Sequence, residues 1–220
     1  MPFSRTQFQR YRPWLYHFTA PENLPLLRRE RIMLSAAAWV ERANAFQPQI
    51  ADPEAFLGAP RLRRHPLQVG PGLQVLLNDQ VPLRYESSFH GLRGTYSDYI
   101  RYLNGLIFFW PGTAVKPTPR GKLADTFAAR DPGKILLRVP TMAVWPEDEG
   151  EGSSSIRFCR YNSGAPQARD GVTRGPHLFV TCAEAPFGVP FVAEVVFPHR
   201  LVLPAHTEWK FPGQQHWQPL

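Results

Sequence analysis

Trp14-Leu15-Tyr16-His17-Phe18-Thr19, followed at once by Pro21-Glu22-Asn23-Leu24, is the stretch on which the reading of this chain turns. The first six residues are a short apolar run of strand length that delivers a histidine and a threonine to its end. A helix start follows. Thr19 with Glu22 three residues on has the spacing of a capping box, which predicts a well-fixed corner. Such a corner, with His and Thr side by side, suits the grip of a polar ligand. Spacing alone equally allows His17 to satisfy backbone groups at a strand end.

Composition bounds what surrounds this corner. The chain has 220 residues, which predicts a single domain over 1–220 with room for a substantial core. A hydrophobic share of 43% with 13% aromatics excludes a disordered chain. No apolar run approaches the roughly 18 residues a membrane span needs. The N-terminus lacks a signal-peptide apolar region, so a cytoplasmic protein without a membrane partner is expected. The formal charge of +7 favours a polyanionic partner or a phosphate-bearing ligand. Cys159 and Cys182 have no paired spacing for zinc or redox chemistry, so two buried reduced thiols and no metal are expected. The 24 prolines disfavour a helical bundle and favour short elements joined by rigid loops.

Outward from the corner, residues 23–30 predict a helix and Ile32-Met33-Leu34 a short strand. Ser35 can cap a helix through Ala36-Ala37-Ala38-Trp39-Val40-Glu41. Residues 48–72, rich in proline and arginine with Arg61, Arg63, Arg64 and His65 clustered, predict a long surface loop. Strands are expected over 73–77, 106–110, 134–139, 156–159, 191–197 and 201–203, and helices over 119–130 and after the Thr95/Asp98 capping pair. The acidic stretch 146–155 and the segment 160–175 predict loops. Helices early and strands late suggest an α+β fold.

Several familiar machines are missing. Gly70-Pro71-Gly72 is no dinucleotide fingerprint, and no Walker A, His-Glu-x-x-His or Gly-x-Ser-x-Gly sequence occurs. Glu194 stands out instead, because one carboxylate interrupts the apolar run Phe191-Val192-Ala193-Glu194-Val195-Val196-Phe197. A charge is rarely buried without a partner, so Glu194 faces solvent, an ion pair or a ligand cleft. Protection of a sheet edge is the structural alternative.

Tyr16-His17-Phe18-Thr19, then Asn23-Leu24 and Leu34-Ser35, resembles the opening motif of the DarT-like ADP-ribosyltransferases. The chain also resembles an uncharacterised bacterial group with an Asp-Gln-x-Pro-Leu block and a Phe-Phe-Trp strand, here Asp79-Gln80-Val81-Pro82-Leu83 and Phe108-Phe109-Trp110. The likeness covers about residues 14–205 through short motifs. It implies a split β-sheet of the ADP-ribosyltransferase kind with short flanking helices. It further implies NAD as a consumed co-substrate held by His17, Phe18, Thr19, Leu34, Ser35, Gln80 and Tyr96. Glu194 resembles the glutamate of the family's final catalytic strand, so Glu194 and His17 are the expected catalytic pair. Arg84, Arg160, Asn162 and Arg169 are the expected acceptor-binding residues. The implied acceptor is nucleic acid, DNA foremost, and an antitoxin or a reversing hydrolase are the implied partners.

The sequence departs from the family pattern twice. Gln80 stands where DarT-like enzymes carry a catalytic arginine, and Arg31 where they carry a glycine. A neutral amide cannot supply the arginine's charge. The alternatives are therefore a non-catalytic nucleotide or nucleic-acid binding module on the same fold, and an NAD-dependent RNA 2′-phosphotransferase.

Overall fold

Pairing begins at the strand the sequence singles out. The structure, a computed structural model, describes residues 2–84, 86, 89, 92–119, 123–124, 133–145, 156–162 and 173–220. β1 (Trp14–Thr19) runs antiparallel to β6 (Ile135–Pro140), with His17 opposite Leu137. β6 in turn pairs with β10 (Glu208–Lys210), and β10 with β11 (Gln218–Pro219), completing a four-stranded sheet. A three-stranded sheet holds β8 (Glu194–Pro198) between β5 (Leu106–Phe109) and β7 (Arg157–Cys159). Two two-stranded sheets complete the set among the described residues: β2 (Ile32–Leu34) with β9 (Arg200–Val202), and the hairpin of β3 (His65–Gly70) with β4 (Leu73–Leu77). The helices are short: α1 (Arg5–Tyr11), α2 (Leu24–Glu30), α3 (Ala36–Phe46), α4 (Pro53–Gly58), α5 (Tyr96–Asn104) and α6 (Thr141–Val144). The molecule is thus mixed α and β, with small antiparallel sheets.

Among the described residues the two larger sheets meet at one bridge. Tyr16 N donates to Trp110 O at 3.0 Å, and Trp110 N donates back to Tyr16 O at 2.8 Å. Beyond that pair β1 and β5 part. β8 is packed on both faces, because Val195 and Phe197 enter the main core with Phe8, Phe109 and Phe158. Val196 points the other way, into a second cluster with Tyr99, Ile100 and Leu103 of α5. Strand residues alternate sides, so Glu194 shares the α5 face with Val196. A third cluster packs Trp39, Val40 and Ala43 of α3 on Leu67, Val75 and Leu77 of the hairpin.

Local chemistry explains several boundaries. Ser35 Oγ accepts from Ala38 N at 3.2 Å and starts α3, and Thr95 Oγ1 accepts from Asp98 N at 3.1 Å and starts α5. Gly72 closes the hairpin with φ +65°, a conformation glycine adopts without steric cost. Arg31 ends α2 in the same left-handed region, φ 52°, where a Cβ costs roughly 1 kcal/mol. Its guanidinium offsets that by bonding the carbonyls of Leu203, Pro204, Ala205 and Leu220.

Some expectations are corrected. No Thr19/Glu22 capping box forms, because Thr19 stays in β1 and Ala20 occupies the cap position without a side-chain bond. Residues 48–72 hold α4 and β3 rather than one long loop. Residues 189–191 form a 3₁₀ turn, so the last long strand begins at Glu194. The expected helix over 119–130 and the acidic loop over 146–155 lie almost entirely outside the described residues. No described helix is long and apolar enough to cross a membrane.

Candidate functional site

The gap between β1 and β5 is where polar groups gather. An antiparallel pair would continue with Phe18 opposite Phe108, but side chains take over the backbone groups instead. His17 Nδ1 lies 2.8 Å from Phe108 O. Asn78 Nδ2 donates to Phe18 O at 3.0 Å. A carbonyl can only accept, so Nδ1 carries the imidazole proton and Nε2 keeps its lone pair. Protein atoms surround the His17 ring although the residue, which lines the cavity, keeps some accessible surface. That desolvation lowers the pKa to about 4, the carbonyl of Phe108 opposes the shift, and Lys134 adds to it. His17 is therefore a neutral hydrogen-bond acceptor at physiological pH.

Asn23 fixes the corner that the capping box does not. Its Nδ2 donates to Thr19 Oγ1 at 2.9 Å and to Leu76 O at 3.0 Å, and its Oδ1 accepts from Leu76 N at 2.7 Å. One buried amide thus ties the end of β1 to the open edge of the hairpin. The same bonds explain how Pro66 sits inside β3. Pro66 faces Leu76, whose backbone groups turn away toward Asn23, so no N–H is needed there.

A cavity of about 260 Å³ opens between these elements. His17, Phe18 and Thr19 of β1 line it, with Leu34 and Ser35 from the β2–α3 corner, Gln80 after the hairpin, Asn104, Asn162 and Glu194. The histidine near one end of the chain and the carboxylate near the other share one hollow. Glu194 is 1% exposed and stands opposite Cys159 in the β7–β8 ladder. Burial, then the charge of Glu194, pushes up both the Tyr99 phenol and the Cys159 thiol, so the carboxylate sits close to both. Cys159 and Cys182 are buried and unbridged. Among the described residues no three His, Cys, Asp or Glu side chains converge as a metal site.

The remaining expected residues lie elsewhere. Tyr96, at the first turn of α5, donates its hydroxyl to Leu83 O and packs 5.7 Å from the Phe89 ring, outside the cavity lining. Arg84 follows the 3₁₀ turn Val81–Leu83 and is exposed. The Arg160 guanidinium lies 5.2 Å from the Phe191 ring, two residues from the lining residue Asn162. Arg169 falls outside the described residues.

Two lining residues do more than local sequence conveys. Asn23 is visible as part of Asn23-Leu24, but its side-chain role comes from a contact 53 residues away. Arg61 reads as one of a cluster of exposed loop arginines, yet it lines the cavity and donates from Nη1 to Asn104 Oδ1 at 2.9 Å.

Sheets bridged at Tyr16 and Trp110, with a largely apolar cavity that carries a few polar groups where they part, define a mixed α and β protein with a ligand-sized cleft. The chain belongs to a family of unknown function, DUF7002, whose model matches residues 13–195. That span runs from the strand bearing His17 to the residue after Glu194. No curated protein and no solved structure matches the chain.

Proposed function

We propose that the protein is an NAD-consuming mono-ADP-ribosyltransferase of the split-sheet kind, with a nucleic-acid base as acceptor. The observation that carries this reading is the shared lining of one cavity by His17 and Glu194. Neutral His17 offers an Nε2 lone pair to a ribose hydroxyl, and the Thr19 hydroxyl, which already accepts from Asn23, keeps its own proton to donate. Both suit the sugars and amide of NAD.

Cleavage breaks the bond between ribose C1′ and the nicotinamide nitrogen. Nicotinamide leaves with the electron pair, and positive charge develops on the ribose as in glycoside cleavage. A buried carboxylate at that point stabilises the charge more than it would in water. A base nitrogen then bonds to C1′ and gives up a proton, which Glu194 can take. A cavity of about 260 Å³ encloses a ring and its ribose, leaving the rest of a dinucleotide along the cleft.

The acceptor side rests on charge. Arg63 and Arg64 follow the lining residue Arg61 in the chain, and Arg84 follows the lining residues Pro82 and Leu83, so basic residues adjoin the lining segments. A duplex hides base edges, which favours a single strand or a flipped base as acceptor. The test is incubation with labelled NAD and separate pools of DNA, RNA and protein. Label in a nucleic-acid pool, with equal nicotinamide release, is expected. NAD binding without nicotinamide release in any pool would replace this reading with a binding module, and release driven only by 2′-phosphorylated RNA would replace it with a phosphotransferase.

A further inference from the structure

Among the described lining residues Arg61 is the one permanent cation. It lies between α4 and β3, in a segment held to the far side of the hairpin by a reciprocal pair. Gln80 N donates to Arg61 O at 2.6 Å, and Arg61 N donates to Gln80 Oε1 at 3.2 Å. The guanidinium is itself held on one side only. Nε donates to Asn78 O at 3.2 Å and Nη1 to Asn104 Oδ1 at 2.9 Å, while Nη2 bonds no described residue. Asn104 is 2% exposed, accepts also from Gln80 Nε2 at 2.9 Å, and donates to Leu57 O at 2.7 Å.

No described carboxylate stands within ion-pairing distance of this guanidinium. Burial lowers its pKa to about 10 although the charge of Asp79, which also lines the cavity, opposes the shift, so the guanidinium stays charged at neutral pH at a desolvation cost. Exposed arginines solve that problem with water, and buried ones with an acid. Here neither solution is complete. The open donors of a planar fork that lines a cavity match two oxygens of a phosphoryl group.

We infer that Arg61 is the anion anchor of the cavity, taking the phosphates of a nucleotide ligand through Nη2, with Asn104 and Gln80 as its positioning residues. The inference rests on the reading of the cavity as a dinucleotide site and names the residue that holds its phosphates. It also explains an amide at Gln80, since a group that can both donate and accept fixes an arginine supplied by a different segment.

The experiment is calorimetric binding of ADP, which carries the phosphates but no nicotinamide, to the full chain and to R61Q and R61K. Wild type is expected to bind with an affinity that falls as salt rises. R61Q is expected to weaken binding by about tenfold or more and to flatten the salt dependence, while R61K keeps a part of both. A purely bracing role would lower the Tm of R61Q and R61K without changing the salt dependence of ADP binding. That result, equal ADP affinity in R61Q, or no ADP binding by wild type, overturns the inference. Should R61Q not fold, the R61K affinity and its salt dependence decide alone. Arg61-dependent ADP binding without nicotinamide release would sink only the transferase reading, and release with Arg61-independent ADP binding only this one.

Discussion

His17 Nδ1 stands 2.8 Å from the carbonyl oxygen of Phe108, and this bond replaces the backbone pairing that β1 and β5 abandon after Tyr16 and Trp110. The imidazole is held neutral, with its pKa near 4 against an ordinary 6.5. An unfolded chain therefore takes up the proton first as pH falls. The stability that comes from burying neutral His17 is fully present above pH 6.5 and is lost between 6.5 and about 4, worth roughly 3 kcal/mol. Urea unfolding of wild type and His17→Gln at pH 4.5 and 7 checks this. The variant is expected to lose that part of the pH slope, and equal slopes would contradict the assignment. Nicotinamide release is likewise expected to show no inflection near 6.5 from this group.

Glu194 shares its sheet face with the α5 cluster and lies close to Tyr99 and Cys159. Removing its charge while keeping its shape isolates the chemistry. Glu194→Gln is expected to cut nicotinamide release by about two orders of magnitude or more. Release at the wild-type rate from a folded variant would place the reaction elsewhere.

Local signals account for what is legible in the sequence. β1, β2, β4 and β6 are compact apolar runs, and Ser35 and Thr95 announce their helices within three residues. Glu194 is visible because a charge inside an apolar run is rare. What stays hidden depends on distant partners. β10 and β11 are three and two residues long and exist through pairing with β6 and each other, some 70 residues from Arg138 in the case of Glu208. Pro66 disguises β3 because its tolerance rests on Leu76 turning toward Asn23. Arg61 looks like a loop arginine because Asn104, its partner, lies 43 residues on.

Asn23 satisfies three groups with one amide, two of them on the backbone of Leu76. Asn23→Ala leaves the Leu76 N–H and C=O without these partners at a part-buried edge. The cost expected is about 2–4 kcal/mol. Asn23→Asp keeps the acceptor for Leu76 N but loses both donations and sets a carboxylate against Leu76 O, so it is expected to be no better. Equilibrium unfolding in urea measures both. A loss below the size of a surface substitution would mean that the corner is held by packing alone.

On the resemblance to DarT-like enzymes, Gln80 would stand in place of an arginine, which invites the reverse substitution. Its side chain, however, accepts from Arg61 N and donates to Asn104 Oδ1, the same oxygen that receives the Arg61 guanidinium. Gln80→Arg would bring a second guanidinium to that oxygen and leave Arg61 N without its acceptor. Two like charges a few ångströms apart in a half-buried cleft repel, and a lost buried acceptor adds its own penalty. The expected outcome is a loss of about 2 kcal/mol in stability with nicotinamide release unchanged or reduced. Urea unfolding and a release assay on the same preparation decide it. A variant that is both as stable as wild type and faster would mean that the cleft has room for a cation at Gln80, and that Arg61 is not the charge around which it is arranged.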